Sequence, residues 1–222
     1  MENQQYDIPE GVEVIDEDAF SSGVLLTSVS LPFSLKKINK RAFYNNQYLT
    51  KIVIPESVEL IESYAFAHNT NLEEVFIVSK NIEIEENSFF GCEKLHNVMI
   101  ASESIEVEEN IFDKCDSLKE IQMLPLSEGN DIDIDGVVIN NNINKGSCGE
   151  HCFSILKIEN ASLSIFGYGE ITTMEGITED QKQLVEEIHI SKELTSIKSY
   201  LFKEYSELEL VTYASLNDFI SC

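Results

Sequence analysis

The sequence predicts a solenoid, α/β to mostly β, with a parallel sheet of 23-residue repeats interrupted by an insertion that contains a β-hairpin. Three observations lead there. Phenylalanine recurs at Phe20, Phe43, Phe66, Phe89 and Phe112, always 23 residues apart. Aliphatic residues keep the same step at Ile8, Leu31, Ile54, Ile77 and Ile100. The apolar residue two places before each of the last four shares its side of an extended strand. Self-similarity at a fixed period marks a stack of supersecondary units, none of which can bury its own apolar face.

With position 1 set at Ile8, five coils run without a gap to residue 122. Position 8 holds Ile15, Ile38, Ile61, Ile84 and Val107, and position 13 the phenylalanines. Position 19 holds Leu26, Leu49, Leu72, Leu95 and Leu118; position 22 holds Val29, Ile52, Val75, Val98 and Ile121. One strand per coil gives a parallel sheet with rungs ~4.7–4.9 Å apart. Pro32 and Pro55 suit the strand exit, because proline cannot donate to a ladder. The pairs Ala19-Phe20, Ala42-Phe43 and Ala65-Phe66 return across the far side, where a short helical or 3₁₀ turn fits. In coils 4 and 5 the alternation of Ile82 with Ile84, and of Ile105 with Val107, predicts a second short strand in place of a turn. It turns Glu83, Glu85 and Glu86 outward beside Glu106, Glu108 and Glu109, a like-charged edge expected to be solvated and salt-sensitive.

The period breaks after Met123. Phe153 and Ile155 alternate, Glu159–Ser162 reads as a turn, and Leu163 alternates with Ile165, which predicts a hairpin. Thr178 and Gln181 have capping-box spacing for a short helix, although Ile188 with Ile190 equally suits a strand. Ile190, Ile197, Phe202, Leu208 and Val211 then restore positions 1, 8, 13, 19 and 22. The expected organisation is therefore a half-coil cap plus five coils over 1–123, an insertion over 124–187, and a terminal coil with a cap over 188–222. Tyr6 falls at position 22 of a preceding half-coil, and Leu216, Phe219 and Ile220 are candidates to cover the far end.

The unit IPESVELIESYAFAHNTNLEEV resembles the BspA-type leucine-rich repeat over residues 8–122 and again near 188–213. Gly146-Ser147-Cys148-Gly149 and Gly167-Tyr168-Gly169 resemble a G-T-C-G and a G-x-G that flank two strands in such proteins. The family often carries Cys at position 16; here that column reads Gly23, Asn46, Asn69, Cys92 and Cys115. The resemblance implies a leucine-rich-repeat-like solenoid with a cell-surface or secreted binding role, often adhesion to host or matrix proteins.

Composition limits the alternatives. Forty acidic residues against 15 basic give a net charge of −25, which repels nucleic acid and anionic lipid. The densest basic group, Lys36, Lys37, Lys40 and Arg41, reads as a solvated face. No segment approaches the roughly 18–20 apolar residues of a membrane span, so no membrane insertion is expected. The opening MENQQYDIPE lacks the pattern of a signal peptide, which leaves a cytoplasmic location open.

Candidate chemistry is thin. Asp131, Asp133, Asp135 and Gly136 match half of a calcium loop, but Asn142 stands where a bidentate Glu belongs, and Ile132 to Ile139 reads equally as a hairpin around the Asp-Gly turn. Cys148, His151 and Cys152 lack the further ligands of a zinc site and a third group to orient a catalytic pair, so a turn or local disulfide is the simpler reading. Cys92 and Cys115 share one position on adjacent coils, close enough for a disulfide but expected as free buried thiols. Asn160-Ala161-Ser162 is a glycosylation sequon. His68, His96 and His189 read as ordinary surface or rim residues. No phosphate loop, nucleophile elbow or zinc-protease helix occurs. The chain is expected to be non-enzymatic and to need no cofactor, with an enzyme built on Cys148 and His151 the weakest reading.

The outward sheet positions carry the functional expectation. At position 23, Val53, Phe76 and Met99 stack on consecutive rungs; at position 21, Lys51, Glu74 and Asn97 form a polar margin. An exposed apolar centre with a polar rim is how interfaces are built. This face is the expected site for a protein ligand, anchored by Phe76; cover by the insertion, or self-association through a dimer, competes with that reading. An intracellular interaction scaffold would use the same face. If Phe76 is exposed, Phe76→Ser leaves thermal stability nearly unchanged; a large loss of stability marks it as core.

Overall fold

A computed structural model describes residues 4–22, 25–123, 134, 138–140, 144–149, 152–157, 161–167, 169–175, 177–191, 194–198 and 201–214. The chain divides into two compact units, Met1–Asn142 and Ile143–Cys222.

The first unit is a stack of coils. Its strands are β1 (Gln4–Asp7), β2 (Val14–Ile15), β3 (Leu26–Ser30), β4 (Lys37–Ile38), β5 (Lys51–Ile54), β6 (Leu60–Ile61), β7 (Glu74–Ile84), β8 (Asn97–Val107), β9 (Glu120–Met123) and β10 (Val138–Asn140). All pair in parallel, and like positions meet: Ile52, Val75, Val98 and Ile121 in one row, and Ile15, Ile38, Ile61, Ile84 and Val107 in another. Proline explains why the early coils have two separate strands. Pro9, Pro32 and Pro55 occupy position 2 in coils 1–3 and interrupt the ladder, whereas Val78 and Ala101 stand there in coils 4 and 5. The extra strand was expected in coils 4 and 5 alone; it occurs in coils 1–3 as well, as β2, β4 and β6, and in coils 4 and 5 it is fused with the first into the 11-residue β7 and β8. β1 pairs with β3 and sets Tyr6 opposite Val29, as the half-coil reading requires.

The repeated aliphatics and phenylalanines form one core, with Leu31, Phe20 and Val107 only partly buried at its margins. The five phenylalanine rings stack at centroid separations of 5.1, 5.1, 5.2 and 5.3 Å. That distance is close to one rung, so each ring covers the next.

The far side is not helical, contrary to expectation. Two positions per coil, 11 and 15, lie in the left-handed region: Asp18, Arg41, Tyr64, Asn87 and Asn110, then Ser22, Asn45, His68, Gly91 and Lys114, with φ between 39° and 71°. Such residues stop a right-handed helix. The turn instead forms a second ladder between coils. Phe20 N–H donates to Ala42 C=O, Phe43 to Ala65, Phe66 to Ser88 and Phe89 to Ile111, at 2.8–3.0 Å. Positions 11 and 15 do likewise; His68 N–H, for example, reaches Phe90 C=O at 2.7 Å.

Position 16 supplies buried donors to this turn. Asn69 Nδ2 donates to Phe43 C=O at 3.0 Å and to Phe66 C=O at 2.7 Å, while its Oδ1 accepts from Asn46 N–H. Asn46 Nδ2 reaches Phe20 C=O at 2.9 Å. Cys92 Sγ and Cys115 Sγ donate to Phe66 and Phe89 C=O, each at 3.3 Å. Asn and Cys share one duty here, satisfying a carbonyl of the preceding coil that water cannot reach. Both cysteines are free and buried, and burial pushes the Cys92 thiol up.

The stack does not stop at Met123. β10 pairs with β9 and places Ile139 opposite Ile121, a step of 18 residues in place of 23. Val138–Asn140 is therefore a parallel rung, and Ile134 joins the core; residues 131–133 and 135–137, on which the expected hairpin and its turn fall, lie outside the described residues.

The second unit contains β11 (Asn144–Gly149), β12 (Cys152–Lys157), β13 (Ser162–Gly167), β14 (Gly169–Ile171), α1 (Glu179–Lys182), β15 (Glu187–Ser191), β16 (Leu194–Ile197) and β17 (Leu210–Ala214). β12 and β13 form the expected antiparallel hairpin, and β11 adds antiparallel to β12. β13 also pairs in parallel with β15, and β15 with β17, so Leu163, Ile188 and Val211 line up. The second hairpin strand is thus itself a rung, 25 residues before its neighbour. Leu163, Ile165, Ile171, Ile177, Val185, Ile188 and Ile190 make the core. α1 has the expected capping box: Thr178 Oγ1 accepts from Gln181 N–H, and Gln181 Oε1 from Thr178 N–H. Lys182 in its last turn is buried between Glu179, at 2.7 Å, and Glu204, at 2.8 Å, tying the helix to the following coil.

Asn69→Ala strands the Phe43 carbonyl and the Asn46 N–H in a dry interior and leaves the Phe66 carbonyl only the Cys92 thiol. Urea denaturation is expected to show a loss of about 2–4 kcal/mol, as for a buried group left unpaired.

Candidate functional site

The expected site residues come together, but the apolar three of them are not at the surface. Lys51, Glu74 and Asn97 pair in one row, and Val53, Phe76 and Met99 in the next. Lys51 Nζ lies 3.6 Å from the Glu74 carboxylate and 6.0 Å from the Phe76 ring centroid. The apolar row was expected to be exposed; Val53 is 6%, Phe76 2% and Met99 2% accessible. Pro55, Val78 and Ala101 are buried as well. β5, β7 and β8 are therefore covered on both faces. The sequence carries a sign of this: Val75-Phe76-Ile77-Val78 and Val98-Met99-Ile100-Ala101 are unbroken apolar runs, as in sheets buried on both sides.

A second surface, on the turn side, escaped the sequence reading. Positions 14 and 15 interlock across coils. Arg41 lies 5.0 Å over the Tyr44 ring, Tyr44 meets His68 edge-on at 5.3 Å, and His68 meets Phe90 at 5.2 Å. The three rings are partly exposed and Arg41 is exposed. Gly91 makes room: a Cβ there would sit 3.1 Å from His68 Nδ1. Because neighbours alternate between two positions, no single column reveals the ridge, and His68 reads as isolated.

Charge is organised between coils. Arg41 pairs with Asp18 at 3.2 Å, Lys36 with Glu59 at 3.6 Å, and Lys37 with Glu62 at 2.6 Å. The expected basic cluster is thus largely a set of links from one coil to another. The acidic edge also differs from expectation. Glu83 and Glu106 are exposed and opposite each other, but position-9 carboxylates reach back to cap amides. Glu62 accepts from Lys40 N–H at 2.7 Å, Glu85 from Ser63 N–H at 2.9 Å, and Glu108 from Glu86 N–H at 3.0 Å. For Glu62, burial raises the carboxyl, but the Lys37 and Lys40 hydrogen bonds outweigh it and hold it below its ordinary 4.5.

His189 was expected at the surface and is buried. Its Nδ1 is 2.7 Å from Thr212 Oγ1, and its Nε2 is 3.5 Å from Glu187. His96 is exposed. Asp131, Asp133, Asp135, His151 and Asn160 lie outside the described residues. The backbones of Cys148 and Cys152 fall in β11 and β12. Among the described residues no cluster of three or more His, Cys, Asp or Glu could hold a metal, and no helix is long and apolar enough to cross a membrane.

Parallel rungs at a 23-residue step, an aliphatic and phenylalanine core and a position-16 donor column define a leucine-rich-repeat solenoid. The chain belongs to the BspA-type leucine-rich repeat family, whose profile matches residues 2–123 and 130–221 in 6 copies. The second match begins inside the segment read as an insertion. Two solved structures are similar. One is a leucine rich cell surface protein from Faecalibacterium prausnitzii A2-165, 19% identical over 97% of this chain and 61% of that one, with a TM-score of 0.35. The other is a leucine-rich repeat protein from Bacteroides ovatus ATCC 8483, 20% identical over 95% and 57%, with a TM-score of 0.37. The chain spans less than two thirds of either. No curated protein matches it.

Two outcomes follow from this geometry. Phe76→Ser is expected to cost about 3–5 kcal/mol in urea denaturation, the range for emptying a buried aromatic site. Glu62, with its folded pKa lowered, stabilises fully above about pH 4.5 and loses that contribution as pH falls through the folded value. Glu62→Gln should therefore be less stable at pH 7 and lose less on acidification, read from urea midpoints along a pH series.

Proposed function

We propose that this chain is a non-catalytic protein-binding module of a surface or adhesive protein, and that its partner is a protein ligand of the matrix type. One observation supports this most: two ladders of inter-coil hydrogen bonds fix side chains in rows one rung apart, and on the turn side such a row is aromatic, cationic and accessible. Tyr and Arg dominate interface hot spots, and rings already held by their neighbours lose little entropy on contact. The sheet-side row Lys51, Glu74 and Asn97 remains partly accessible and offers polar contacts. The buried Val53, Phe76 and Met99 provide no ready anchor there, which favours the Arg41–Tyr44–His68–Phe90 ridge.

The test is a biosensor panel of matrix proteins against the purified chain, with protease shaving of intact cells to place the native protein. The expected result is saturable binding that falls at least about tenfold in Arg41→Ala/Tyr44→Ala and holds in Lys51→Ala/Asn97→Ala, with both variants melting cooperatively. Loss confined to the sheet-side variant would move the site to that face. Absence of binding across the panel, or protection from shaving, would sink the adhesive reading.

A further inference from the structure

The turn-side ridge has a period of its own. Position 14 holds Tyr44 in coil 2, Ala67 in coil 3, Phe90 in coil 4 and Asp113 in coil 5. Ala67 is buried, so at this position rings reach the surface in coils 2 and 4 alone. The His68 ring stands between them, 5.3 Å from Tyr44 and 5.2 Å from Phe90. The buried phenylalanines of the same coils step by 5.1 and 5.2 Å, so side chains two coils apart repeat at about 10 Å. One coil beyond Phe90, the same row ends in the exposed Asp113. An extended strand returns to one face every ~6.4–6.8 Å and misses this step. Seven residues of an α-helix span ~10.5 Å, but its carbonyls are bonded internally and offer nothing to the donors of Arg41, Tyr44 and His68. A polyproline II helix repeats every three residues, ~9.3 Å, and leaves all its carbonyls open.

We propose that the ridge binds a proline-rich segment in the polyproline II conformation, of the form P-x-x-P with a basic residue beside it. One proline packs on Tyr44 and the other on Phe90, one turn of the ligand apart. Carbonyls of the intervening turn accept from Arg41 and His68, and the basic side chain pairs with Asp113. Proline fixes φ before contact, and the rings are already held by one another, so neither side loses much freedom on binding. Aromatic-lined surfaces recognise proline-rich segments in this way. Charge agrees, since a chain of net charge −25 attracts a cationic segment. This names the ligand class of the partner surface proposed above and rests on that reading.

The test is fluorescence anisotropy with a labelled peptide, Arg-Ala-Pro-Ala-Ala-Pro-Ala-Arg, whose two ends are alike, so that either chain direction presents a basic residue to Asp113. Saturable binding that weakens as salt rises is expected. One extra alanine between the prolines is expected to lower affinity at least about tenfold. Phe90→Ala should weaken the original peptide to a similar degree and erase the difference between the two spacings. Asp113→Lys, at an exposed position, should weaken binding and remove its salt dependence, with both variants melting cooperatively. Absence of binding, equal binding of the two spacings, or binding indifferent to Phe90→Ala and Asp113→Lys overturns the proposal. If the matrix panel still binds through Arg41 and Tyr44 in that case, only the ligand class is wrong and the partner surface stands. If the panel is silent as well, both fall.

Discussion

A single coil of this protein has no interior. Positions 1, 8, 13, 19 and 22 are buried only because the same positions of the coils before and after lie one rung away. The phenylalanine stack shows this most directly, since a ring 5.1 Å from the next has neither room for water nor any other cover. The ladders, ring stack and buried donors all act at that one boundary between successive coils. Even the surface ion pairs mostly cross it, as Arg41 to Asp18 and Lys37 to Glu62 do.

This boundary also decides what reaches solvent. Left-handed residues at positions 11 and 15 bend the chain so that its amides point along the stack; the phenylalanine at position 13 turns into the core, and Tyr44 and Phe90 at position 14 turn toward solvent. Each such non-glycine residue costs of order 1–2 kcal/mol of backbone strain, offset by hydrogen bonds that a right-handed turn could not make between coils. The exposed ridge of Tyr44, His68 and Phe90 is a by-product of the conformation that holds the coils together. The Glu62, Glu85 and Glu108 carboxylates likewise close a gap in amide bonding, so part of the chain's large negative charge is structural.

Periodicity made the core rows of the first five coils legible and alternation the added strand of coils 4 and 5; the like strands of coils 1–3, and the fusion where Val78 and Ala101 replace proline, were not legible. Periodicity failed where the step changed. The 18-residue step to Ile139 and the 25-residue step from Leu163 to Ile188 hide rungs that backbone pairing reveals, because a ladder tolerates loops of different length while a sequence period does not. Burial of Phe76 was misjudged for another reason. Alternation tells which side of a strand a residue faces and says nothing about whether that side is covered. The position-16 column was visible as Asn46, Asn69, Cys92 and Cys115, but its logic was not; amide and thiol look unrelated until both are seen donating to the carbonyl 26 residues earlier.

The turn-side ladder has a direction. Each coil offers N–H groups to its successor and carbonyls to its predecessor, while side-chain donors run the opposite way from position 16. A coil inserted backwards would find donors facing donors. Duplicating or excising any whole 23-residue stretch of the regular array, cut at whatever position, instead rejoins like to like. Array length is thus a trait that unequal recombination can lengthen or shorten without breaking the contacts between coils, and the rows on its surface grow or shrink with it.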